Sequence, residues 1–360
     1  MAENINQPKP LLERGGPKGT SLEAWQERRE SIKKAWFGVA GRPPEDLEIP
    51  PLDVEYLDEV DAGDHVRHRV SYAVAPDERV EAWLCLPSPM PARKLPAVLV
   101  LQGSHLTYNW GKDCTVGHRV DTEQAQAAHL ARRGYVALAP DLPEAGRRTP
   151  KGLPQNTPRT PEDLRRYDPS LFFQRHPDWS LPGKGVWDHQ RAVDFLLTLD
   201  FVDPECIGCT GISYGGFFAL LAGAFDERIR MTVPVVGWSP YTGTEQVRNL
   251  TSEFYFPRLT DILDPHVGVP CMESLPVDFH EIAALIAPRG LFSVNAGRDP
   301  YVPVEHFEKV HADMRAIWAL CDGGGRCGYQ VFDATHGYPP EMAVETYAAL
   351  DRELMPTRVR

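Results

Sequence analysis

Gly211-Ile212-Ser213-Tyr214-Gly215-Gly216 sets a serine between a short apolar run, Cys206 to Thr210, and a stretch rich in Ala, Leu and Phe, Phe217 to Phe225. The first run follows the turn-forming pair Asp203-Pro204 and reads as a strand; the second reads as a buried helix. The serine therefore stands on a strand-to-helix turn. So sharp a turn strains the backbone, and a Cβ at the glycine positions flanking the serine would strike the neighbouring strand and helix. The turn lifts the hydroxyl above the sheet edge. It also aims the backbone N–H of Tyr214, at the helix N-terminus, toward an oxyanion formed beside it. Taken alone, such a serine is equally a helix N-cap, so its chemistry depends on partners elsewhere in the chain.

A serine nucleophile needs a base and an acid that orients the base. Gly290 to Gly297 reads as a buried strand leaving into a turn, and Asp299 stands just past its end. Gly328 to Phe332 reads as a further strand, with His336 on the loop that follows. The order Ser, Asp, His is that of the α/β-hydrolases. The chain resembles that superfamily, and within it the dienelactone-hydrolase-like and acetylxylan-esterase-like serine esterases, over residues 80 to 355 or so. The resemblance is also carried by Gly185-Val186-Trp187-Asp188, Asp203-Pro204-Glu205-Cys206-Ile207-Gly208 and Ala287-Pro288-Arg289. Dienelactone hydrolases have a cysteine where this chain has Ser213, which separates it from their lactone chemistry.

The resemblance implies an α/β fold: a doubly wound, mainly parallel sheet with antiparallel N-terminal edge strands and cap-forming inserts. It implies catalysis by Ser213, Asp299 and His336 on a small-molecule ester, with no metal or organic cofactor. In this superfamily the second oxyanion donor lies on the loop after the third strand. Here that loop reads Leu101-Gln102-Gly103-Ser104-His105, with Gln102-Gly103 where relatives often have His-Gly, and the backbone N–H of Ser104 is the candidate. Asp333 and Glu245 are alternative acids, the latter because some relatives place the acid one strand earlier.

The punctuation of the chain supports one domain, residues 51–355, with an N-terminal helical extension, residues 1–50. Leu22, Trp25, Ile32 and Trp36 recur at helical spacing. Val66 to Val74 and Val80 to Leu84 alternate as antiparallel edge strands do. Pro96 to Leu101 is a continuous apolar run, as for a strand buried on both faces. A helix over Thr122 to Arg133, a strand over Tyr135 to Ala139 and a helix over Trp187 to Leu199 continue the alternation that makes a parallel sheet. Two inserts, 142–184 and 238–279, leave from the strand ends where the nucleophile lies and are candidate pocket walls. Tyr108, Trp110, Phe172, Phe173, Trp179, Trp238, Tyr241, Tyr255 and Phe256 are candidate linings. Arg147, Arg148, Arg159, Arg165 and Arg166 offer either a carboxylate-binding group or a solvated charged face.

Composition narrows the partners. A net charge of −12 argues against a general binder of nucleic acid or anionic membrane. The polar start, Met1 to Pro10, and the absence of a long apolar run point to a cytoplasmic protein. Seven cysteines fit a reduced compartment. Cys206-x-x-Cys209 lies in a strand, where residues three apart face opposite ways, so it is a poor redox pair. His65 with His68 and His306 with His311 lack a common zinc spacing. Oligomeric state is not legible. A prolyl-oligopeptidase-like peptidase, or a binding protein on a hydrolase scaffold, are the alternatives to an esterase.

Overall fold

The computed structural model describes residues 8, 10–12, 21–44, 46–103, 110–117, 124–149, 170–240 and 276–355. The alternating N-terminal region becomes three antiparallel strands, β1 (Glu55–Asp61), β2 (His65–Ala75) and β3 (Glu78–Pro87). β1 is exposed along nearly its whole length, as an edge strand is. The continuous apolar runs become β4 (Leu95–Leu101) and β5 (Val136–Pro140), every residue of both being buried. β6 (Val202–Ile212), β7 (Ile229–Val235), β8 (Gly290–Ala296) and β9 (Cys327–Phe332) complete a sheet of order β1-β2-β3-β5-β4-β6-β7-β8-β9. From β5 to β9 all neighbours are parallel; β3 joins β5 antiparallel.

Helices cover both faces, which is why the central strands are apolar on both. One face carries α1 (Leu22–Ala40), α4 (Leu181–Leu197), α5 (Tyr214–Phe225), α6 (Phe279–Ala284) and α7 (Phe307–Leu320). The other carries α2 (Gln126–Arg132) and α8 (Pro340–Leu354). The short α3 (Ser170–Arg175) precedes α4. Alternate residues of β4 divide between the two cores, Leu95, Ala97, Leu99 and Leu101 to the first, Val98 and Val100 to the second. Cys209 and Cys206 divide in the same way, and both are free thiols. Each fully buried Leu or Val side chain contributes about 1.5–3 kcal/mol.

The amphipathic stripe of α1 buries Trp25, Ile32 and Trp36, and the Trp36 ring stacks on Phe225 at 5.5 Å. Leu22, expected on that stripe, is 46% exposed because it starts the helix beyond the edge of the core. Ser21 caps α1, its Oγ accepting the Ala24 N–H at 3.1 Å. α4 begins at Leu181, six residues before the expected Trp187. Ser180 is its N-cap and Pro182 fills its first turn, so the end of the first expected insert is helical. Phe279, expected to close the second insert, likewise opens α6, behind a capping box formed by Asp278 and Glu281. The described part of α2 begins at Gln126, not Thr122. Among the described residues no helix is long and apolar enough to cross a membrane.

Candidate active site

The turn between β6 and α5 is as tight as its glycines require. A Cβ on Gly211 would lie 2.5 Å from the Gly215 carbonyl carbon, and one on Gly215 would lie 2.0 Å from the Leu101 oxygen. No side chain fits either place. Ser213 itself has φ 56° and ψ −116°, a conformation that costs a non-glycine residue about 1–3 kcal/mol. Its N–H donates to Val235 O at 2.8 Å and its own carbonyl accepts Phe217 N–H at 2.9 Å, so strand and helix both hold the strained residue. The Tyr214 ring packs edge-on against Phe218, 4.7 Å between centroids, while its backbone opens α5.

Asp299 and His336 arrive from the ends of β8 and β9, neighbours in the sheet. Their loops are tied together: Arg298 N–H donates to Ala334 O at 2.9 Å, and the Arg298 guanidinium to Asp333 O at 3.1 Å. His336 Nδ1–H donates to Asp299 Oδ2 at 2.7 Å, which leaves Nε2 to accept the Ser213 hydroxyl at 2.8 Å. The other carboxylate oxygen, Oδ1, accepts the N–H groups of Tyr301 (2.8 Å) and Val302 (3.0 Å). The Asp299 side chain is wholly buried and the His336 ring is 22% exposed. With three N–H donors on it, the buried Asp299 carboxylate fixes the imidazole tautomer.

The alternative acid Asp333 is exposed and pairs with Arg298 at 3.1 Å, away from the imidazole. Glu245, Ser104, Tyr108, Tyr241, Tyr255 and Phe256 lie outside the described residues. Trp110 is half-buried at the start of a 3-10 turn, Gly111–Val116. Three candidate linings are corrected, the first being Phe172, which is 1% exposed. Trp238 is fully buried; its Nε1–H donates to Ser293 Oγ at 3.1 Å and its ring packs on Phe307 and His311. Trp179 is 6% exposed and sits edge-on to Trp187 beneath α4. Both rings belong to the interior. Sequence reading passed over Tyr301, whose ring is 60% exposed and stands edge-on to His336 at 5.1 Å. The signal was present, an aromatic two residues after the acid.

Arg148 is a further correction, being neither solvated nor open to a ligand. It donates to Glu78 (2.5 Å) and Asp188 (2.7 Å), and Lys184 pairs with the same two carboxylates. Burial pushes the Glu78 carboxyl up, but Arg148 and Lys184 more than reverse this and hold it down at about 2. Burial, with the Arg148 and Lys184 cations beside it, drives the neighbouring His176 down to about 4 and His189 to about 3. Arg147 remains half-exposed, 4.0 Å from Glu81; Arg159, Arg165 and Arg166 lie outside the described residues. Among the described residues no group of three or more His, Cys, Asp or Glu side chains is placed to hold a metal ion.

Known proteins match this architecture. A family model described as "Glucuronyl esterase, fungi" matches residues 184–321, from within α4 through the elbow and β8 to the end of α7. The 4-O-methyl-glucuronoyl methylesterase of Hypocrea jecorina is 33% identical over 150 residues, 38% of this chain and 32% of that protein. The 4-O-methyl-glucuronoyl methylesterase 1 of Wolfiporia cocos is 29% identical over 187 residues, 47% of this chain and 45% of its own. The chain thus spans a third to a half of the length of these curated relatives. Among solved structures, a glucuronoyl esterase from Solibacter usitatus superposes with a TM-score of 0.67 at 20% identity, covering 97% of both chains. A promiscuous CE15 esterase from a marine bacterial metagenome does so with a TM-score of 0.69 at 17% identity, covering 98% of both. At such identities the likeness establishes the fold. Sheet order, the strained serine turn and these matches give the chain the α/β-hydrolase fold.

Proposed function

We propose that the chain is a serine hydrolase of carboxylic esters whose acyl group is a uronic acid, in the manner of the glucuronoyl esterases it resembles. The observation that carries this reading is the unbroken line Ser213 Oγ to His336 Nε2, His336 Nδ1 to Asp299 Oδ2. His336 takes the Ser213 proton as Oγ bonds to the ester carbonyl carbon. Asp299 stabilises the imidazolium without itself taking the proton. The carbonyl oxygen becomes an oxyanion facing the Tyr214 N–H, where the N-terminus of α5 adds its partial positive charge. The Ser104 N–H is our second donor. As the tetrahedral intermediate collapses, the C–O bond to the alcohol breaks and His336 protonates the leaving oxygen. Water then attacks the acyl-enzyme with His336 as base, releasing the acid and restoring Ser213.

The glucuronoyl assignment draws its support from the relatives, and the chemistry from the geometry. Methyl and benzyl glucuronate, p-nitrophenyl acetate and a peptidyl amide, assayed side by side, test both. Turnover of the glucuronates above the acetate supports the whole proposal. Turnover of the acetate alone retains the esterase and removes the sugar acid, and cleavage of the amide in preference to all esters favours the peptidase. A fluorophosphonate that fails to label Ser213 leaves only a binding protein on this scaffold.

A further inference from the structure

Asp299-Pro300-Tyr301-Val302-Pro303 begins just past β8, and its course is fixed almost residue by residue. Pro300 and Pro303 set their own φ. Asp299 Oδ1 accepts the N–H groups of Tyr301 at 2.8 Å and of Val302 at 3.0 Å. Val302 is buried, and Pro303 O accepts the Ser239 hydroxyl at 2.7 Å. A backbone so held leaves the Tyr301 ring only its own side-chain torsions. That ring is nonetheless 60% exposed. A lone exposed aromatic is ordinary and calls for no explanation by itself. Tyr301 differs in what stands beside it, the His336 imidazole, 5.1 Å away between centroids with the two planes at 81°.

One carboxylate serves both residues: Oδ2 accepts His336 Nδ1–H at 2.7 Å while Oδ1 accepts the Tyr301 N–H. Asp299 thereby sets the imidazole and the tyrosine ring against each other, in the edge-on arrangement that aromatic pairs prefer. The imidazole needs such a neighbour. Its hydrogen bonds to Asp299 and to Ser213 Oγ run from the two ring nitrogens, whose N–H and lone pair lie in the ring plane. Neither bond resists a tilt of the ring about the line joining those nitrogens. Once Nε2 has taken the serine proton and turns to the leaving oxygen, only the Asp299 tether persists. A ring standing edge-on to the imidazole blocks the tilt at that moment. A second edge-on pair, Tyr56 with His68 at 5.6 Å, lies at the β1 edge of the sheet and provides a control.

We propose that Tyr301 is a positioning residue for the base, its ring holding the His336 imidazole in the plane that joins Asp299 to Ser213. The proposal rests on the serine-esterase reading, in which that imidazole carries the proton. The ring does this work and the phenol hydroxyl does not, since restraint of a tilt requires a flat, rigid body beside the imidazole.

Tyr301→Ala removes the ring and keeps the backbone N–H on Asp299. We expect kcat on the methyl and benzyl esters of one acid, glucuronate or acetate, to fall by the same factor, roughly five- to thirtyfold, with KM within about twofold. A misplaced base slows the reaction whatever alcohol leaves. Labelling of Ser213 by a small alkyl fluorophosphonate slows in step, and Tm stays within a few degrees because the ring is exposed. Tyr301→Phe holds kcat and the labelling rate within about twofold of the parent, and Tyr56→Ala leaves both unchanged. The His336 Nδ1–H proton, identified by its loss in His336→Gln, gives a sharp low-field NMR signal in the parent and in Tyr301→Phe, and one broadened by exchange in Tyr301→Ala. Unchanged kcat or an unchanged proton signal in Tyr301→Ala overturns the proposal. So does a loss that enters KM or grows with the size of the alcohol, which would make Tyr301 a substrate contact. Should the parent turn over no ester, the esterase reading falls, and the proton signal alone decides whether Tyr301 restrains His336.

Discussion

Two buried networks of charge and hydrogen bonds lie in this fold, and they differ in whether they close. Around Arg148 each carboxylate, Glu78 and Asp188, meets both Arg148 and Lys184, so two cations and two anions satisfy one another within the interior. The line from Asp299 through His336 to Ser213 is saturated at one end only. Three N–H donors complete Asp299, while the far end is a hydroxyl on a strained, half-buried residue. A closed network has no valence left for a substrate, whereas an open one ends in a group that can react. Burial and pairing alone do not separate structure from chemistry; the unfinished end does.

Changes at the open end should remove activity without cost to the fold. Ser213→Ala is expected to lower kcat/KM by ~10⁴ or more, with Tm unchanged within a few degrees. An ester assay beside thermal unfolding reads both, and a large fall in Tm would mean that Ser213 also holds the turn together. Asp299→Asn comes next, at ~10⁴ in kcat, because an amide favours the wrong imidazole tautomer. Glu245→Gln should leave most activity. Should only the glutamate variant lose turnover, the acid is Glu245 and the hydrogen bond at Asp299 is structural.

The open line was legible because each of its parts has a local signature. Glycine spacing at Ser213 betrays a close backbone approach, and Asp299 and His336 follow runs whose apolar continuity marks buried strands. The closed network was not legible, since Glu78, Arg148, Lys184 and Asp188 meet through packing alone and no spacing announces it. Gly183 and Gly185 stand in the first turn of α4, which the expected helix from Trp187 leaves out. They serve close packing, for their Cβ atoms would lie 2.1 Å from Ala40 O and from the Phe218 ring. Trp238 misled for a related reason. Val236 takes φ 41°, rare for a β-branched residue, just before the chain that places this ring in the core, and nothing in its side chain foretells that.

Changes in the closed network should do the reverse. Asp188→Ala leaves two buried cations facing one carboxylate, and is expected to cost about 3–5 kcal/mol of stability. For the protein still folded, kcat measured well below the new midpoint should stay within about twofold of the parent. Replacing Asp188 and Arg148 together by Leu and Met should recover part of the loss, because no charge is then stranded. Urea unfolding of the two variants beside the parent checks this, and a loss of kcat in the folded fraction would join the cluster to the active site.

Acid provides a finer distinction, through groups held below their ordinary values. His189 and His176 stay neutral in the fold at pH values where the unfolded chain binds protons, from the ordinary 6.5 down to about 3 and about 4 respectively. Over that window the unfolded state carries more protons, so stability must fall as pH falls. Glu78, held down at about 2 against an ordinary 4.5, continues the decline, its contribution being complete above pH 4.5 and lost toward pH 2. Both ring nitrogens of His189 lack a partner and its ring packs edge-on to Phe218, so His189→Phe sacrifices no hydrogen bond seen here. That variant should flatten the dependence of the urea midpoint on pH between 6.5 and 4 while preserving the steeper loss below 4.5. An unchanged slope would mean that His189 takes up its proton within the fold, and hence that the interior beside the closed network admits a charge which its geometry excludes.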